Sequence, residues 1–232
     1  MRFVLIPAGT FVMGSPLGEV GHQDSETLHQ VTISRPFYLG AREVTQREWL
    51  AVTGANPSYF AGAGLEFPVE EVNWYDAEQF LHHLNERHEG RFRLPTESEW
   101  EYACRAGTRT PYAFGERLST ADANYDGRYP LPGQLAGLDR GAPVAAGSLR
   151  PNAWGLQDMH GNVWEWCEDD FCPYPAMATT DPLGSCGSSL KVIRGGSWYF
   201  NADSARSALR YTHRPRDRGF SLGFRVVREV DN

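Results

Sequence analysis

With 232 residues, 41% of them hydrophobic, and seven tryptophans, the chain can bury a sizeable core and is too apolar to be intrinsically disordered. A formal charge of −7 argues against the broad positive footprint that general nucleic-acid binding needs, and no run approaches the roughly 18 apolar residues of a membrane span. The 24 glycines and 15 prolines favour short elements joined by many shaped loops.

Phe3-Val-Leu-Ile and Gly9 to Gly14 read as a strand hairpin around Pro7-Ala-Gly. Gly18 to Thr27 is a polar loop, and Gln30 to Leu39 alternates like one strand. Thr45-Gln-Arg-Glu48 is a capping box that opens a helix to about Val52. Asn73 starts a second helix, with Ala77, Phe80, Leu81 and Leu84 on one face and an end near Glu89-Gly90. Pro95-Thr-Glu-Ser-Glu99 opens a third, which stops at Gly107. Residues 108–150 lack a period and read as loop. The apolar runs at Gly155 to Met159, Val163 to Cys167, Ser189 to Arg194, Ser207 to Tyr211 and Leu222 to Val227 read as strands. The expectation is one α+β domain spanning 1–232, with helices early and strands late.

Charge is uneven. Residues 195–228 hold seven Arg against Asp203 and Asp217, a basic patch on an acidic body. The apolar run before Pro7 is too short for a signal peptide, so the chain reads as cytoplasmic as encoded, with export or surface display left open. Cys167 and Cys172 lie close enough to pair, but four cysteines are too few for a disulfide framework and free thiols are expected. The seven His show no metal-ligand spacing.

The segment from Tyr199 to Arg225 contains no Lys, Glu, Gln, Met or Trp, although these types make up 35 of the 232 residues. They are the types that no codon ending in cytosine encodes. Tyr199, Phe200, Asn201, Asp203, Ser204, Leu209, Tyr211, Thr212, His213, Asp217, Gly219, Phe220 and Ser221 follow neither a helical nor an alternating period. Around them stand Gly195, Gly196, Trp198, Arg206, Arg210, Gly223, Phe224 and Arg225, which read as a fixed frame. A recognition surface on a rigid scaffold has this character.

A set of phrases in order carries a family signature. They are Pro7 to Gly14, Glu43-Val-Thr-Gln46, Pro68 to Trp74, Arg93 to Tyr102, Gly155 to Trp166, Arg194-Gly-Gly-Ser-Trp198 and Gly223-Phe-Arg225. The chain resembles the formylglycine-generating enzyme (sulfatase-modifying factor) family from about residue 3 to 228. That resemblance implies a C-type-lectin-like fold, irregular, with short strands, few helices and much loop. It also implies structural calcium, with Asp158, Asn162 and Glu165 as liganding side chains and the backbone of Gly161 and Val163 completing an oxygen shell. A second calcium site near Asn124 and Asp139 is left open.

Enzymes of the family hold copper on two cysteines five positions apart after the Gly-Gly-Ser phrase. Here those positions are Phe200 and Ala205, which cannot ligate copper, so none is expected there. Cys167 and Cys172 share the spacing but follow a different motif. The segment Gly195 to His213 instead resembles the variable region of diversity-generating retroelement proteins, which would span about 195–225 here. The reading is therefore a non-catalytic recognition protein whose partner is a protein or other surface macromolecule. A formylglycine-generating oxidoreductase acting on a peptide cysteine is the alternative.

Overall fold

Each of the three helices starts on a capping box. Helices α1 (Gln46–Thr53), α2 (Trp74–Arg87) and α3 (Glu97–Arg105) follow Thr45, Asn73 and Thr96, whose side chains accept from the N–H of Glu48, Asp76 and Glu99. Those acidic side chains accept in return from the cap N–H, so the first-turn donors are satisfied locally. The computed structural model describes residues 1–230, so the last two positions of the expected domain lie outside the described residues. Between α3 and Trp164 the described chain forms turns and loops only.

The N-terminal strands are β1 (Phe3–Ile6), β2 (Gly9–Met13), β3 (His29–Ile33) and β4 (Phe37–Gly40). The expected hairpin of the first two does not form. Instead β1 pairs with β4 and β2 with β3, both antiparallel. The long segment expected over 30–39 breaks at Ser34-Arg35-Pro36, because Pro36 has no N–H to give a ladder and restricts the residue before it. Its halves thus feed two different sheets, and each takes one N-terminal strand.

The remaining strands are β5 (Phe92–Arg93), β6 (Trp164–Asp170), β7 (Thr179–Thr180), β8 (Lys191–Arg194), β9 (Tyr211–His213), β10 (Leu222–Gly223) and β11 (Val227–Glu229). They complete sheets of order β1-β4-β11-β5, β10-β6-β8-β9 and β2-β3-β7. Two expected strands are turns. At 155–159 the left-handed backbone of Gly155 and Asp158 (φ 89° and 57°) forbids a ladder. At 207–209 the carbonyls accept from the Arg194 guanidinium rather than from a neighbouring strand.

One core lies between α1, α2 and the β6–β8 sheet, where Trp49 and Phe80 stack at 5.2 Å and Phe224 meets both edge-on. A second surrounds Trp100, Leu39, Val192 and Val227. A smaller third joins Tyr112 and Tyr125 to Ala202 and Ala205 beneath the C-terminal segment. No helix among the described residues is long and apolar enough to cross a membrane.

Candidate ligand-binding surface

Strand β8 delivers the chain into Gly195 and Gly196, both left-handed at φ 97° and 75°. A Cβ on Gly196 would stand 2.8 Å from the Ser204 carbonyl oxygen and 2.9 Å from Ala205 Cα. Only glycine lets the 3-10 turn Ala202–Ala205 press against that backbone. Asn201 caps the turn, its Oδ1 accepting from Ser204 N at 3.2 Å and Ser204 Oγ at 2.7 Å.

Buried ion pairs fix this frame. Arg206 reaches both oxygens of Glu26 (2.7 and 2.9 Å) and Glu19 (2.7 Å). Arg210 forks onto Glu97 at 2.6 and 2.7 Å and lies over the Tyr174 ring at 3.8 Å. Arg225 forks onto Glu165 at 2.6 Å through each nitrogen. The basic patch read from the sequence therefore needs correcting, because three of its seven arginines are neutralised inside the protein. Of the others, Arg218 pairs with Asp76 at 2.7 Å and Arg216 lies over the Tyr75 ring.

On this base the side chains of the C-terminal segment make a continuous file of rings. Successive centroids run Tyr59–Phe220 6.3 Å, Phe220–Tyr199 5.3 Å, Tyr199–Phe200 6.0 Å, Phe200–Tyr211 6.4 Å and Tyr211–His213 6.2 Å. Tyr199, Tyr211 and Phe220 keep 59%, 45% and 36% of their surface exposed. Two buried tryptophans underlie them: Trp198 against Tyr199, Phe220 and Phe60, and Trp164 against Phe200 and Tyr211. Thr212 and His213 are half-buried, with His213 Nδ1 3.3 Å from Asp217 Oδ2.

Not every residue assigned to the surface faces out. Leu209 is only 4% exposed and packs into the first core. Ser221 is buried, its carbonyl accepting from Trp164 N at 2.8 Å. Phe200 is half-buried and Gly219 likewise, its carbonyl accepting from Glu71 N at 3.0 Å. Conversely, Tyr59, at 74% exposure, joins the file from the loop after α1 and was not anticipated. Glu70 holds that loop by accepting from Tyr59 N (3.1 Å) and Phe60 N (2.8 Å). Burial pushes the Glu70 carboxyl up to about 7.

At the foot of the file is a cleft of about 220 Å³ bounded by Trp164, Phe200, Asp203, Leu209 and Tyr211, with Gly21 and Gln23 of the N-terminal loop as its far wall. A larger cleft of about 910 Å³ lies elsewhere, between the Ile33–Phe37 turn and the Arg91, Arg93 and Glu99 side chains. Its Arg91 and Arg93 are paired with Glu229 and Glu99, whereas Arg35 on its wall forms no ion pair among the described residues.

The cysteines differ from expectation. Cys172 is joined to Cys186, Cα atoms 6.0 Å apart, while Cys104 and Cys167 are free and buried. The pairing of Cys167 with Cys172 is thereby excluded, both as a disulfide and as a relocated copper pair. Cys186 is brought over by the 173–185 loop, a long-range closure that sequence spacing does not reveal. A disulfide persists in oxidising surroundings, so cysteine usage no longer speaks for a reducing compartment. Burial raises both free thiols, Cys104 to about 12, which keeps them protonated and poor nucleophiles. Phe200 turns its ring onto Trp164, and Ala205 is fully buried.

Calcium needs six to eight oxygens. Asn162 Oδ1 already accepts from Asn124 Nδ2 (3.1 Å) and Val144 N (2.9 Å). Both Glu165 oxygens are held by Arg225, and Trp100 Nε1 donates to one at 2.7 Å. These two side chains fit a brace, not a ligand, which corrects two of the three expected. Asp158 Oδ1 and Glu43 Oε2 accept from no N–H or hydroxyl donor among the described residues, and the two carboxyls hydrogen-bond each other. Burial, then repulsion from Asp158 and Glu165, drives the Glu43 carboxyl well above its ordinary range, and burial raises Asp158 too. Asp158 and Glu43, the partner missed, are the carboxyls on which a hard cation could draw, but no group of three or more acidic, histidine or cysteine side chains that could hold a metal ion is gathered among the described residues. Asp139 is engaged by Arg128 and Gly141, whereas Asn124 belongs to the Asn162 cluster, so the second site does not come together.

Residues 1–230 match the sulfatase-modifying factor enzyme 1-like domain, and the chain belongs to that family, with its C-type-lectin-like α+β fold. It is 31% identical to the formylglycine-generating enzyme of Streptomyces coelicolor over 98% of this chain and 89% of that one. The structure of PvdO from Pseudomonas aeruginosa matches with a TM-score of 0.84 at 32% identity, covering 98% of this chain and 94% of the other. Treponema denticola variable protein 1 matches with a TM-score of 0.85 at 26% identity, covering 98% and 95%.

Proposed function

We propose that this protein is a non-catalytic recognition module, a diversity-generating-retroelement variable protein that presents residues 199–220 to a protein or other surface macromolecule. The observation that carries this reading is the exposed file of rings from Tyr59 to His213, seated on two buried tryptophans and a frame of buried ion pairs. Aromatic side chains offer large contact area for few frozen torsions, and a rigid base limits the entropy lost on binding. Likeness to a protein called variable in Treponema denticola supports it. The gene tests it: codons at the scattered positions of 199–221 should end in cytosine, with an AAC-rich near-copy beside a reverse-transcriptase gene. Free use of third bases without such a repeat would remove the mechanism.

The likeness to a formylglycine-generating enzyme favours a second reading, an oxidoreductase that converts a peptide cysteine to formylglycine. Phe200 and Ala205 weigh against it, since neither offers copper a thiolate. Aerobic turnover of a cysteine-containing peptide with added copper is expected to be nil, and copper-dependent conversion of that cysteine to formylglycine would reverse the order of the two readings.

In the favoured reading a structural calcium ion sits on Asp158 and Glu43 with the backbone of Gly161 and Val163, while Asn162 and Glu165 orient the surroundings. Chelation is expected to lower the melting temperature, and Asp158→Asn to remove that response. A melt indifferent to both counts against the ion.

A further inference from the structure

We propose that the cleft at the foot of the aromatic file receives one basic side chain, lysine or arginine, of a partner protein. The inference rests on the recognition reading above and specifies what the surface of this particular chain selects.

Three observations converge. The cleft, about 220 Å³, has room for a single long side chain. Its walls are the rings of Trp164, Phe200 and Tyr211, mutually 5.5, 5.5 and 6.4 Å apart, with Leu209 below. A methylene stem lies well against such walls, and their faces attract a cation. Asp203 closes the polar end, and its Oδ1 is buried without a hydrogen-bond partner, nor does it form an ion pair among the described residues.

The charge balance selects a cation. Arg206 is the guanidinium beside this end of the cleft; Glu26 and Glu19 occupy its terminal nitrogens, and its Nε, itself without a hydrogen-bond partner, forms no ion pair with Asp203. Three carboxylates therefore face one arginine, and Asp203 is the one left over. The wall at Gly21 comes close, since a Cβ there would stand 3.3 Å from Asp203 Cγ. Desolvating Asp203 under a neutral partner would leave its charge uncompensated, whereas an ammonium or guanidinium group supplies the missing half.

The test is selection of a displayed random-peptide library on the full chain, with counter-selection on the Tyr199→Ala/Tyr211→Ala variant. Enriched peptides should share one Lys or Arg whose replacement by norleucine weakens binding at least tenfold. Asp203→Asn should weaken the parent peptide by as much and the norleucine peptide hardly at all, while Asp203→Glu retains binding. Melting temperatures of both Asp203 variants verify that they fold. Enriched peptides that bind the tyrosine face yet need no basic residue, or ignore Asp203→Asn, would overturn the proposal and leave the recognition surface standing. A selection yielding no peptide that depends on Tyr199 and Tyr211 would overturn both.

Discussion

Arg206 and Tyr199 lie seven positions apart and have opposite duties. Arg206 is fully buried with its charge spent on Glu26 and Glu19. Arg206→Ala would strand two carboxylates in the interior, a loss of about 3–5 kcal/mol. It would also release the N-terminal loop that walls the cleft through the Gly21 carbonyl. Tyr199 and Tyr211 meet solvent over about half their surface, and Tyr199→Ala or Tyr211→Ala should cost no more than about 1 kcal/mol. Urea denaturation of the three variants separates frame from face, and comparable losses in all of them would dissolve the distinction. Sequence composition could not draw this line fully. It treated Leu209 like Tyr211, yet Leu209 turns into the core, because an apolar side chain carries no mark of the direction in which its backbone aims it.

Local chemistry explains which elements were legible. The three helix starts were readable because a capping box is satisfied within four residues. Most strands were legible one by one, but their pairing was not, since joining β1 to β4 instead of β2 depends on partners more than thirty residues away. The loop after α1 was equally opaque: Tyr59 is held at the file by Glu70, eleven residues on, which accepts from the N–H groups of Tyr59 and Phe60. That carboxyl sits at about 7 when folded, raised by burial from an ordinary value of 4.5. The native state thus holds a proton over this window that the unfolded chain releases, so stability is lost as pH rises from about 4.5 through 7 and is level above it. Glu70→Gln should abolish this part of the decline, of order 1–2 kcal/mol after screening. Melting temperatures of the two proteins between pH 5 and 8 decide it, and parallel curves would refute it. The Cys172–Cys186 loop, with a sequence separation of 14, carries β7. Closing it restricts the unfolded chain by roughly 3 kcal/mol. Reductant or Cys186→Ser should therefore lower stability by about that amount while the ring file keeps its binding; an unchanged denaturation midpoint would deny the bond a role.

The C-terminal segment that displays the candidate site also sews the fold together, and this links binding to architecture. Leu222 and Gly223 extend the β6 sheet as β10, and Val227 to Glu229 join β4 to β5 as β11, so one short stretch bridges two sheets. Along it Phe224 and Val226 enter the first core, Val227 enters the second, and Arg225 neutralises Glu165. The family phrases marked this frame in the sequence, whereas the cleft was invisible there, because its far wall comes from Gly21 and Gln23 in a loop with no pattern. A protein stitched this way cannot shed its last strands and keep the rest. Calorimetry should give a single unfolding transition with equal calorimetric and van't Hoff enthalpies. A chain ended after Phe220 should fail to fold at all, having lost β10, the bridging β11, four core side chains and the partner of a buried carboxylate. Two resolved transitions, or a truncated chain that still shows native near-ultraviolet circular dichroism, would mean that the frame and the displayed segment are separable units.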